Sequence, residues 1–318
     1  MEHVSILIPA YNAEEWITEA IESALRQGPD VEVVVVDDGS TDGTVERIAA
    51  FEGRIRWETG PNRGAPAARN RLLELAEAPW VQYLDADDYL MPGKVAAQLE
   101  ALRRMEDVDV LYGPETVEWR EAGSDVVRRT ISDIPEPRDP WVLLALWKLP
   151  QTGAPLWRRQ ALLDVGGWRE DQPCCQEHEL YLRLLLAGKR FAYHPAGGAV
   201  YRRFSDGTLS TRNPSLVRRE RLKIEKRIEE HLASTGALTP ERQWAIDQAR
   251  FDMARSAWPQ DRAEARALRA VISTRDFCPR GPAAPPAYWH VASVLGFEAA
   301  EWLAAVMRRV RSLRSGGF

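Results

Sequence analysis

Short apolar runs alternate with longer amphipathic stretches over the first 110 residues. Four runs have the β-branched or aromatic composition of buried strands, and apolar residues at helical spacing follow each of them. The runs cover residues 4–8, 31–36, 55–57 and 80–84. Strands that alternate with helices of about 10–15 residues are typical of a doubly wound sheet. The alternation therefore predicts an α/β fold with a mostly parallel, doubly wound sheet.

The fourth apolar run ends in three carboxylates, Asp85, Asp87 and Asp88. In an open parallel sheet, the carboxyl ends of the strands face the ligand crevice. Magnesium is commonly held by one or two carboxylates together with phosphate oxygens. The cluster therefore indicates a divalent metal ion and a nucleotide. A solvated strand end, with Asp88 as a helix cap, is the plainer alternative.

Two other strand ends carry groups that suit a nucleotide. Pro9, Ala10 and Tyr11 follow the first run, and Asp38 follows the second. Tyr11 could stack on a base, and Asp38 could accept a hydrogen bond from a base N–H. Packing at Tyr11 and a turn or helix cap at Asp38 are the structural alternatives.

The first helix is predicted to begin near Asn12. Asn12 and Glu15 have the spacing of a capping box, and apolar residues follow at helical spacing from Ile17. We therefore expect Asn12 to cap this helix.

The rest of the chain changes character twice. Residues 108–212 have shorter strand patterns, which we interpret as an acceptor-binding half on the same sheet, after a nucleotide-binding half at 1–107. From residue 213, helical spacing continues among many charges up to a last helix at about 288–313. The prediction is a catalytic domain at 1–212 and an α-helical C-terminal region at 213–318.

Composition restricts the partners and the location. The formal net charge of −5 argues against nucleic-acid binding, which needs a basic surface. The three cysteines form no disulfide framework, and no run of about 18 uncharged apolar residues is present. The N-terminus has no signal-peptide layout. We therefore expect a cytoplasmic protein.

Four motifs resemble, in order and spacing, those of glycosyltransferase family 2, which has the GT-A fold. They are ILIPAYN at 6–12, VDDGSTD at 36–42, NRG at 62–64 with AARN at 67–70, and LDADD at 84–88. The resemblance covers roughly the first 200 residues. It implies a hexosyltransferase-like enzyme that moves a sugar, with inversion, from a nucleotide-diphosphate donor to a carbohydrate or glycoconjugate acceptor. It also implies uridine as the donor base.

The resemblance implies roles for residues on the nucleotide side. Pro9, Ala10 and Tyr11 would line the nucleoside pocket, and Asp38 would contact the base. Arg69 would lie near the pyrophosphate or support that wall.

The resemblance also identifies Asp85, Ala86 and Asp87 as the DXD motif. Asp87 would be the main ligand of Mn²⁺ or Mg²⁺, and Asp85 would bind the metal or the ribose. The metal would bridge the diphosphate and neutralise charge on the departing nucleoside diphosphate.

The catalytic base departs from the family pattern. The family usually has a Glu-Asp pair at the start of a helix, with the Asp as base, whereas this chain has Gln176 and Glu177. Glutamate can perform the same proton transfer with slightly different geometry. We expect Glu177 to be the base, with Glu179 as the alternative. The departure leaves a non-catalytic nucleotide-sugar-binding scaffold as the alternative function.

Two further features leave alternatives open. Phe204 occupies a position where the family often has His, so Arg202 or Arg203 could face the diphosphate instead. The last helix combines apolar and basic residues, which suits an anionic membrane surface, the catalytic domain or a second subunit. The residues are Trp302, Leu303, Val306 and Val310 with Arg308, Arg309, Arg311 and Arg314. Peripheral membrane contact and a homodimer are therefore alternative expectations.

Overall fold

A computed structural model describes residues 3–120, 127–204, 213–281 and 284–315 of the chain. The chain divides into two compact units. The first consists of Met1–Pro140 and Lys148–Val217, and the second of Trp141–Trp147 and Arg218–Phe318. The short segment Trp141–Trp147 therefore belongs to the second unit, although it lies within the range predicted for the acceptor-binding half.

The strands are β1 (Val4–Ala10), β2 (Val31–Asp37), β3 (Arg56–Thr59), β4 (Trp80–Tyr83), β5 (Tyr89–Leu90), β6 (Val110–Tyr112), β7 (Glu115–Arg120), β8 (Val127–Ser132), β9 (Leu156–Arg158), β10 (Phe191–Tyr193) and β11 (Ala199–Phe204). The helices are α1 (Ile17–Leu25), α2 (Thr44–Ala49), α3 (Ala65–Leu75), α4 (Lys94–Leu102), α5 (Pro140–Ala145), α6 (Arg159–Asp164), α7 (Gln176–Leu186), α8 (Pro214–Ser234), α9 (Pro240–Ala257), α10 (Arg262–Ala270), α11 (Pro286–Leu295) and α12 (Phe297–Ser315).

The first unit is built on a seven-stranded sheet in the order β10-β6-β9-β4-β1-β2-β3. Its neighbouring strands run parallel except for β9, which is antiparallel to both β4 and β6. Val4, Ile6 and Ile8 of β1 share one core cluster with Ile17 and Ile21 of α1, and all five are fully buried. The prediction of an α/β fold with a doubly wound, mostly parallel sheet is confirmed.

A second sheet of four strands lies in the same unit, in the order β5-β11-β7-β8. The prediction that residues 108–212 continue the first sheet is therefore wrong in part: β6, β9 and β10 join that sheet, whereas β7, β8 and β11 do not. The sequence gave little signal for β7 and β8 because charged and polar residues fill them, as in ETVEWR and VRRTIS. All six residues of β8 are exposed, so no apolar face marks the strand.

Asn12 does not cap the first helix, so that prediction is wrong. The helix α1 begins five residues later, at Ile17, and Asn12 has a positive φ of 46°. Its backbone N–H donates to Ser40 Oγ at 2.9 Å, and its Oδ1 accepts from the backbone N–H of Thr41 at 2.9 Å. Asn12 thus joins the loop after β1 to the loop after β2.

The second unit is helical, with an aromatic cluster in which Phe251 contacts Phe277, Tyr288 and Phe297. The single last helix predicted from the sequence is two helices, α11 and α12, because the chain turns at Gly296 with a φ of 85°. Only glycine adopts that conformation readily. Within the described ranges, every helix is too short or too polar to cross a membrane.

Glu225 of α8 makes the stability of the second unit depend on pH. Its side chain is fully buried and accepts a hydrogen bond from Arg221 Nε at 3.3 Å. Burial raises the pKa of Glu225 to about 8, which the attraction of Arg221 and Arg250 only partly offsets. In the unfolded chain the Glu225 carboxyl has its ordinary pKa of 4.5, so it is ionised above that pH. The contribution to stability is therefore complete below pH 4.5 and is lost as the pH rises towards about 8.

We expect Glu225→Gln to be more stable than the wild type at about pH 8 and nearly equal to it at about pH 4.5, because glutamine stays neutral. Where only the folded state holds this proton, the free energy of unfolding falls by about 1.4 kcal/mol per pH unit. Thermal unfolding midpoints over this range measure the effect, with Glu230→Gln on the exposed side of the same helix as control. Parallel pH profiles for wild type and Glu225→Gln would contradict the prediction.

Candidate active site

A pocket of about 650 Å³ lies at the carboxyl ends of β1, β2 and β4. All eight residues predicted to bind the nucleotide sugar line it, namely Pro9, Ala10, Tyr11, Asp38, Arg69, Asp85, Ala86 and Asp87. The lining also includes residues that were not predicted, namely Asn12, Ala13, Trp16, Asn62, Gly64, Ala65 and Ala68. Ligand pockets typically measure about 300–1,000 Å³, so this one is large enough for a nucleotide sugar.

The aromatic side of the pocket is formed by residues that follow β1. Tyr11 is 52 % exposed although it lines the pocket, so its ring is accessible to a ligand. Trp16, directly before α1, lines the same pocket. The sequence signal for Trp16 was missed because its position was assigned to the interior of the predicted helix. An accessible ring beside a concave wall can stack on a planar base.

Asp38 fixes the loop that precedes α3. Its Oδ1 accepts from the backbone N–H of Arg63, and its Oδ2 from the backbone N–H of Gly64, both at 2.8 Å. Each carboxylate oxygen can accept a second hydrogen bond. The assignment of Asp38 to the donor base therefore stays a prediction, while its contact with this loop is a structural role.

The neighbouring Asp37 and Gly39 have structural roles. Asp37 is buried, and its Oδ2 accepts from Thr59 Oγ1 at 2.6 Å. A Cβ at Gly39 would lie 2.7 Å from the backbone nitrogen of Asn62, and the residue has a φ of 76°. Only glycine therefore fits where the loop after β2 approaches the loop after β3.

Arg69 joins the pocket to the helix α7. Its Nη2 donates to Asp85 Oδ1 at 2.8 Å, and its Nη1 donates to Gln176 Oε1 at 3.3 Å. The guanidinium lies 4.8 Å from the centre of the Trp168 ring. Burial acts against its charge, but the charge and hydrogen bond of Asp85, together with the charges of Glu177 and Tyr83, raise the pKa of Arg69. Arg69 is a fixed positive charge between Asp85 and the start of α7.

Asp87 and Asp88 differ in their surroundings. Burial, together with the charge of Asp85, raises the pKa of Asp87 to about 6. Burial and the two neighbouring aspartates also raise the pKa of Asp88. The Oδ1 of Asp88 accepts from the backbone N–H of Arg202 at 2.7 Å, which holds this side chain beside β11. Asp87 is the carboxylate of the two that lines the pocket.

The donor set at the pocket fits one divalent cation that is completed by a ligand. No group of three His, Cys, Asp or Glu side chains in the described ranges is arranged to hold a metal by itself. The arginines nearest Asp87 pair with other carboxylates, Arg69 with Asp85 and Arg202 with Glu19 and Glu118. Burial and the charge of Asp85 raise the pKa of Asp87, and a hard cation bound at this carboxylate would favour its anionic form.

Arg202 contacts the acidic loop, residues 85–88, but does not line the pocket. Its side chain is 1 % exposed, with Nη2 donating to Glu19 at 2.5 Å and Nε to Glu118 at 3.3 Å. Its Nη1 donates to the backbone carbonyl of Asp87 at 3.2 Å. The interpretation of Arg202 as a diphosphate clamp is therefore wrong, because its charge is bound by the buried Glu118 and the more exposed Glu19. Arg203 instead lies 4.7 Å from the ring centre of Trp119.

Glu177 occupies the first turn of α7, outside the pocket lining but beside Arg69. Its Oε1 lies 3.4 Å from Nδ1 of the buried His178. Burial alone would raise its pKa, but the hydrogen bond and charge of His178, aided by Arg69, lower the pKa of Glu177 to about 2. The side chain is therefore a carboxylate at neutral pH.

Glu179, the alternative base, is committed to an ion pair. It is 2 % exposed, and its Oε2 accepts from Arg183 Nε at 2.7 Å. Arg183 in turn donates to the backbone carbonyls of Val165 at 2.5 Å and Gly167 at 2.6 Å. This network secures α7 to the preceding loop, which favours Glu177 over Glu179 as the reactive carboxylate.

Glu115, at the start of β7, is a functional candidate that the sequence did not indicate. It is buried, and its Oε2 accepts from the backbone N–H of Gln151 at 2.9 Å. Burial raises its pKa to about 7, and the charge of Glu177 adds to the rise. No motif surrounds Glu115, so only its burial beside Glu177 identifies it.

Residues 205–207, which follow the Tyr-Arg pair in the sequence, lie outside the described residues, as do the side chains of Phe204, Arg308, Arg309, Val310, Arg311 and Arg314.

Residues 5–152 match the family model described as Glycosyl transferase family 2. The chain is 38% identical over 113 residues to a chondroitin synthase of Pasteurella multocida (strain Pm70), an alignment that covers 34% of this chain and 12% of that protein. It is 41% identical over 102 residues to the succinoglycan biosynthesis protein ExoU of Rhizobium meliloti (strain 1021). That alignment covers 30% of this chain and 29% of that protein. The matched region thus spans less than a third of each relative.

The fold resembles that of S. aureus TarS 1-349, solved in complex with UDP-GlcNAc. The TM-score is 0.63 at 19% sequence identity, and the alignment covers 96% of this chain and 92% of that chain. This similarity shows the same fold, the GT-A fold that the sequence motifs predicted.

Proposed function

We propose, because residues 5–152 match the family model described as Glycosyl transferase family 2, that the chain is an inverting, metal-dependent glycosyltransferase. It would move a sugar from a nucleotide-diphosphate donor to an acceptor hydroxyl in polysaccharide or glycoconjugate synthesis. The observation that carries the proposal is the single pocket that gathers an accessible Tyr11, the loop held by Asp38, and the Arg69–Asp85 pair with Asp87.

The donor side of the proposal assigns the pocket to a UDP-sugar. Tyr11 would stack on the uracil and Asp38 would accept from the base, while Pro9 and Ala10 form the apolar wall between them. The solved TarS structure of the same fold contains UDP-GlcNAc, which supports uridine as the base. Arg69 would stabilise the pyrophosphate side of the pocket while it keeps Asp85 in place.

The metal assignment rests on the acidic loop. Asp87, with Asp85 as a second ligand, would hold Mn²⁺ or Mg²⁺. The ion would neutralise charge on the departing nucleoside diphosphate. Asp88 would support the acidic loop, because the Asp88 carboxylate accepts a hydrogen bond from the backbone N–H of Arg202.

The proton-transfer step is assigned to Glu177. Its carboxylate would accept the proton of the acceptor hydroxyl. The hydroxyl oxygen would bond to the anomeric carbon while the bond from that carbon to the diphosphate breaks on the opposite side. This displacement inverts the configuration at the anomeric carbon. A carboxyl group with a pKa of about 2 is a weak base. We therefore infer that the proton moves late, after the new bond has begun to form and the hydroxyl has become acidic.

The proposal also covers the acceptor and the cellular location. A carbohydrate or glycoconjugate acceptor is supported by the names of the relatives, which include a chondroitin synthase and a succinoglycan biosynthesis protein. The cytoplasm is the proposed location, because the sequence has only three cysteines, two of them adjacent, which is too few for the disulfide framework common in secreted proteins.

A donor screen tests the proposal. The purified chain is incubated with UDP-glucose, UDP-GlcNAc, UDP-glucuronic acid or GDP-mannose, with Mn²⁺ or EDTA, and the unfolding temperature and nucleotide release are measured. We expect one UDP-sugar to raise the unfolding temperature in Mn²⁺ and to be hydrolysed slowly. Stabilisation by a donor without any nucleotide release, even with saccharide acceptors, would instead favour a non-catalytic scaffold. No stabilisation by any donor would contradict both functions.

A further inference from the structure

We propose that the second unit docks on an anionic lipid bilayer through the end of α11 and one face of α12. The contact surface, here called the terminal patch, consists of Val294, Leu295, Trp302, Leu303, Val306 and Met307. The proposal is independent of the glycosyltransferase assignment, because it rests on helices outside the family match.

The terminal patch exposes large apolar side chains to solvent. Val294 is 68 %, Leu295 69 %, Trp302 63 % and Met307 52 % exposed, and Leu303 and Val306 are more than a third exposed. Single exposed apolar residues are ordinary, but several on neighbouring elements mark an interaction surface. The two helices that carry them pack against each other.

The opposite side of α12 is anchored in the unit. Ala300 and Glu301 are buried, and Glu301 Oε1 accepts a hydrogen bond from Tyr288 at 2.7 Å and pairs with Arg255. Residues 302, 303 and 306 are spaced so that they lie on the side of the helix away from Glu301, and Met307 lies at the edge of the patch, two turns after Ala300. The patch is therefore presented outwards by a helix that is fixed through its other face.

The sequence beyond the patch favours an anionic partner. Residues 308–314 contain four arginines and no acidic residue, in a chain whose net charge is −5. The helix continues through this stretch to Ser315. Basic residues beside apolar ones are typical of helices that lie in the interface of an anionic membrane, where Trp sits at headgroup level. A second copy of the chain would bring the same arginines and no acidic complement from this stretch.

Cosedimentation with vesicles tests the proposal on the full chain. We expect binding to phosphatidylcholine vesicles that contain about 30 mol% phosphatidylglycerol, and much weaker binding to phosphatidylcholine alone, because each arginine contributes about a fivefold gain near an anionic surface. Replacing Arg308, Arg309, Arg311 and Arg314 together by Gln should weaken binding roughly several hundredfold. The double variant Trp302→Gln, Val306→Gln should weaken it by about a hundredfold, with one tenfold step for each of the two apolar side chains lost from the interface.

The matched control is Ile131→Gln, which replaces an apolar residue that is 74 % exposed in the first unit and should leave vesicle binding unchanged. Circular dichroism confirms that each variant is folded. Failure of the wild type to bind anionic vesicles would overturn the proposal, as would equal binding by wild type and the patch variants. A dimer in sedimentation equilibrium that the double variant dissociates, without vesicle binding, would assign the patch to a second copy and overturn it too. Nucleotide release in solution reports separately on the proposed activity.

Discussion

Replacing Glu177 by Gln is expected to lower the rate of sugar transfer by about 10²- to 10⁴-fold, the usual contribution of a general base. Donor affinity should remain unchanged, because Glu177 lies outside the lining of the donor pocket. The amide is similar in size but cannot accept the acceptor proton at neutral pH. Nucleotide release in the presence of acceptor measures turnover, and titration calorimetry with the donor measures binding.

Two variants make this experiment specific. Glu177→Asp retains a carboxylate and should keep measurable turnover, which glutamine should not. Glu115→Gln tests the neighbouring buried carboxyl, whose charge interacts with that of Glu177. Loss of turnover in Glu115→Gln but not in Glu177→Gln would transfer the role of base to Glu115.

Replacing Asp87 by Asn is expected to weaken donor binding in Mn²⁺ by about a hundredfold or more, since residues that merely support metal ligands already contribute roughly 10- to 100-fold to metal affinity. In EDTA the variant and the wild type should bind the donor alike. Calorimetric donor titrations with Mn²⁺ and with EDTA measure both quantities. Asp88→Asn is the control, because its carboxylate holds the backbone of Arg202 and the variant should keep a metal-dependent difference.

The same assignment predicts a pH dependence. The pKa of Asp87 is raised to about 6 by burial and by Asp85, so this carboxylate takes up a proton as the pH falls below about 6. A protonated carboxyl does not bind a hard cation, and donor affinity in Mn²⁺ should therefore decline at acidic pH. Asp87→Asn should lack this decline. Donor affinity that is equal in Mn²⁺ and EDTA for the wild type would refute the metal assignment.

The first sheet was predictable because its central strands β1, β2 and β4 are buried on both faces. Four of the five central residues of β2 are valines, and such runs are recognised without knowledge of the fold. The pocket was predictable for a related reason: the carboxyl ends of β1, β2 and β4 lie at one edge, so residues far apart in sequence meet there. Tyr11, Asp38 and Asp87 therefore line the same pocket.

The remaining features depend on tertiary partners that leave no local pattern. Arg202 was interpreted as a ligand-facing cation, yet Glu19 and Glu118, from two distant elements, bind its side chain. The capping-box spacing of Asn12 and Glu15 was overridden when Asn12 bonded with the loop after β2. β7 and β8 pair with each other as polar strands, which periodicity does not distinguish from loops.

The two hydrogen bonds that Asp38 accepts have a thermodynamic consequence for the donor. They hold the backbone of residues 63 and 64 in place, and Gly39 lets the loops after β2 and β3 approach closely. Ordering a residue costs about 1–2 kcal/mol of conformational free energy. For this loop the loss of freedom occurs when the chain folds, so binding does not have to provide it. The pocket is preorganised on its base side, and the entropy change of donor binding should come mainly from the ligand and the acidic loop.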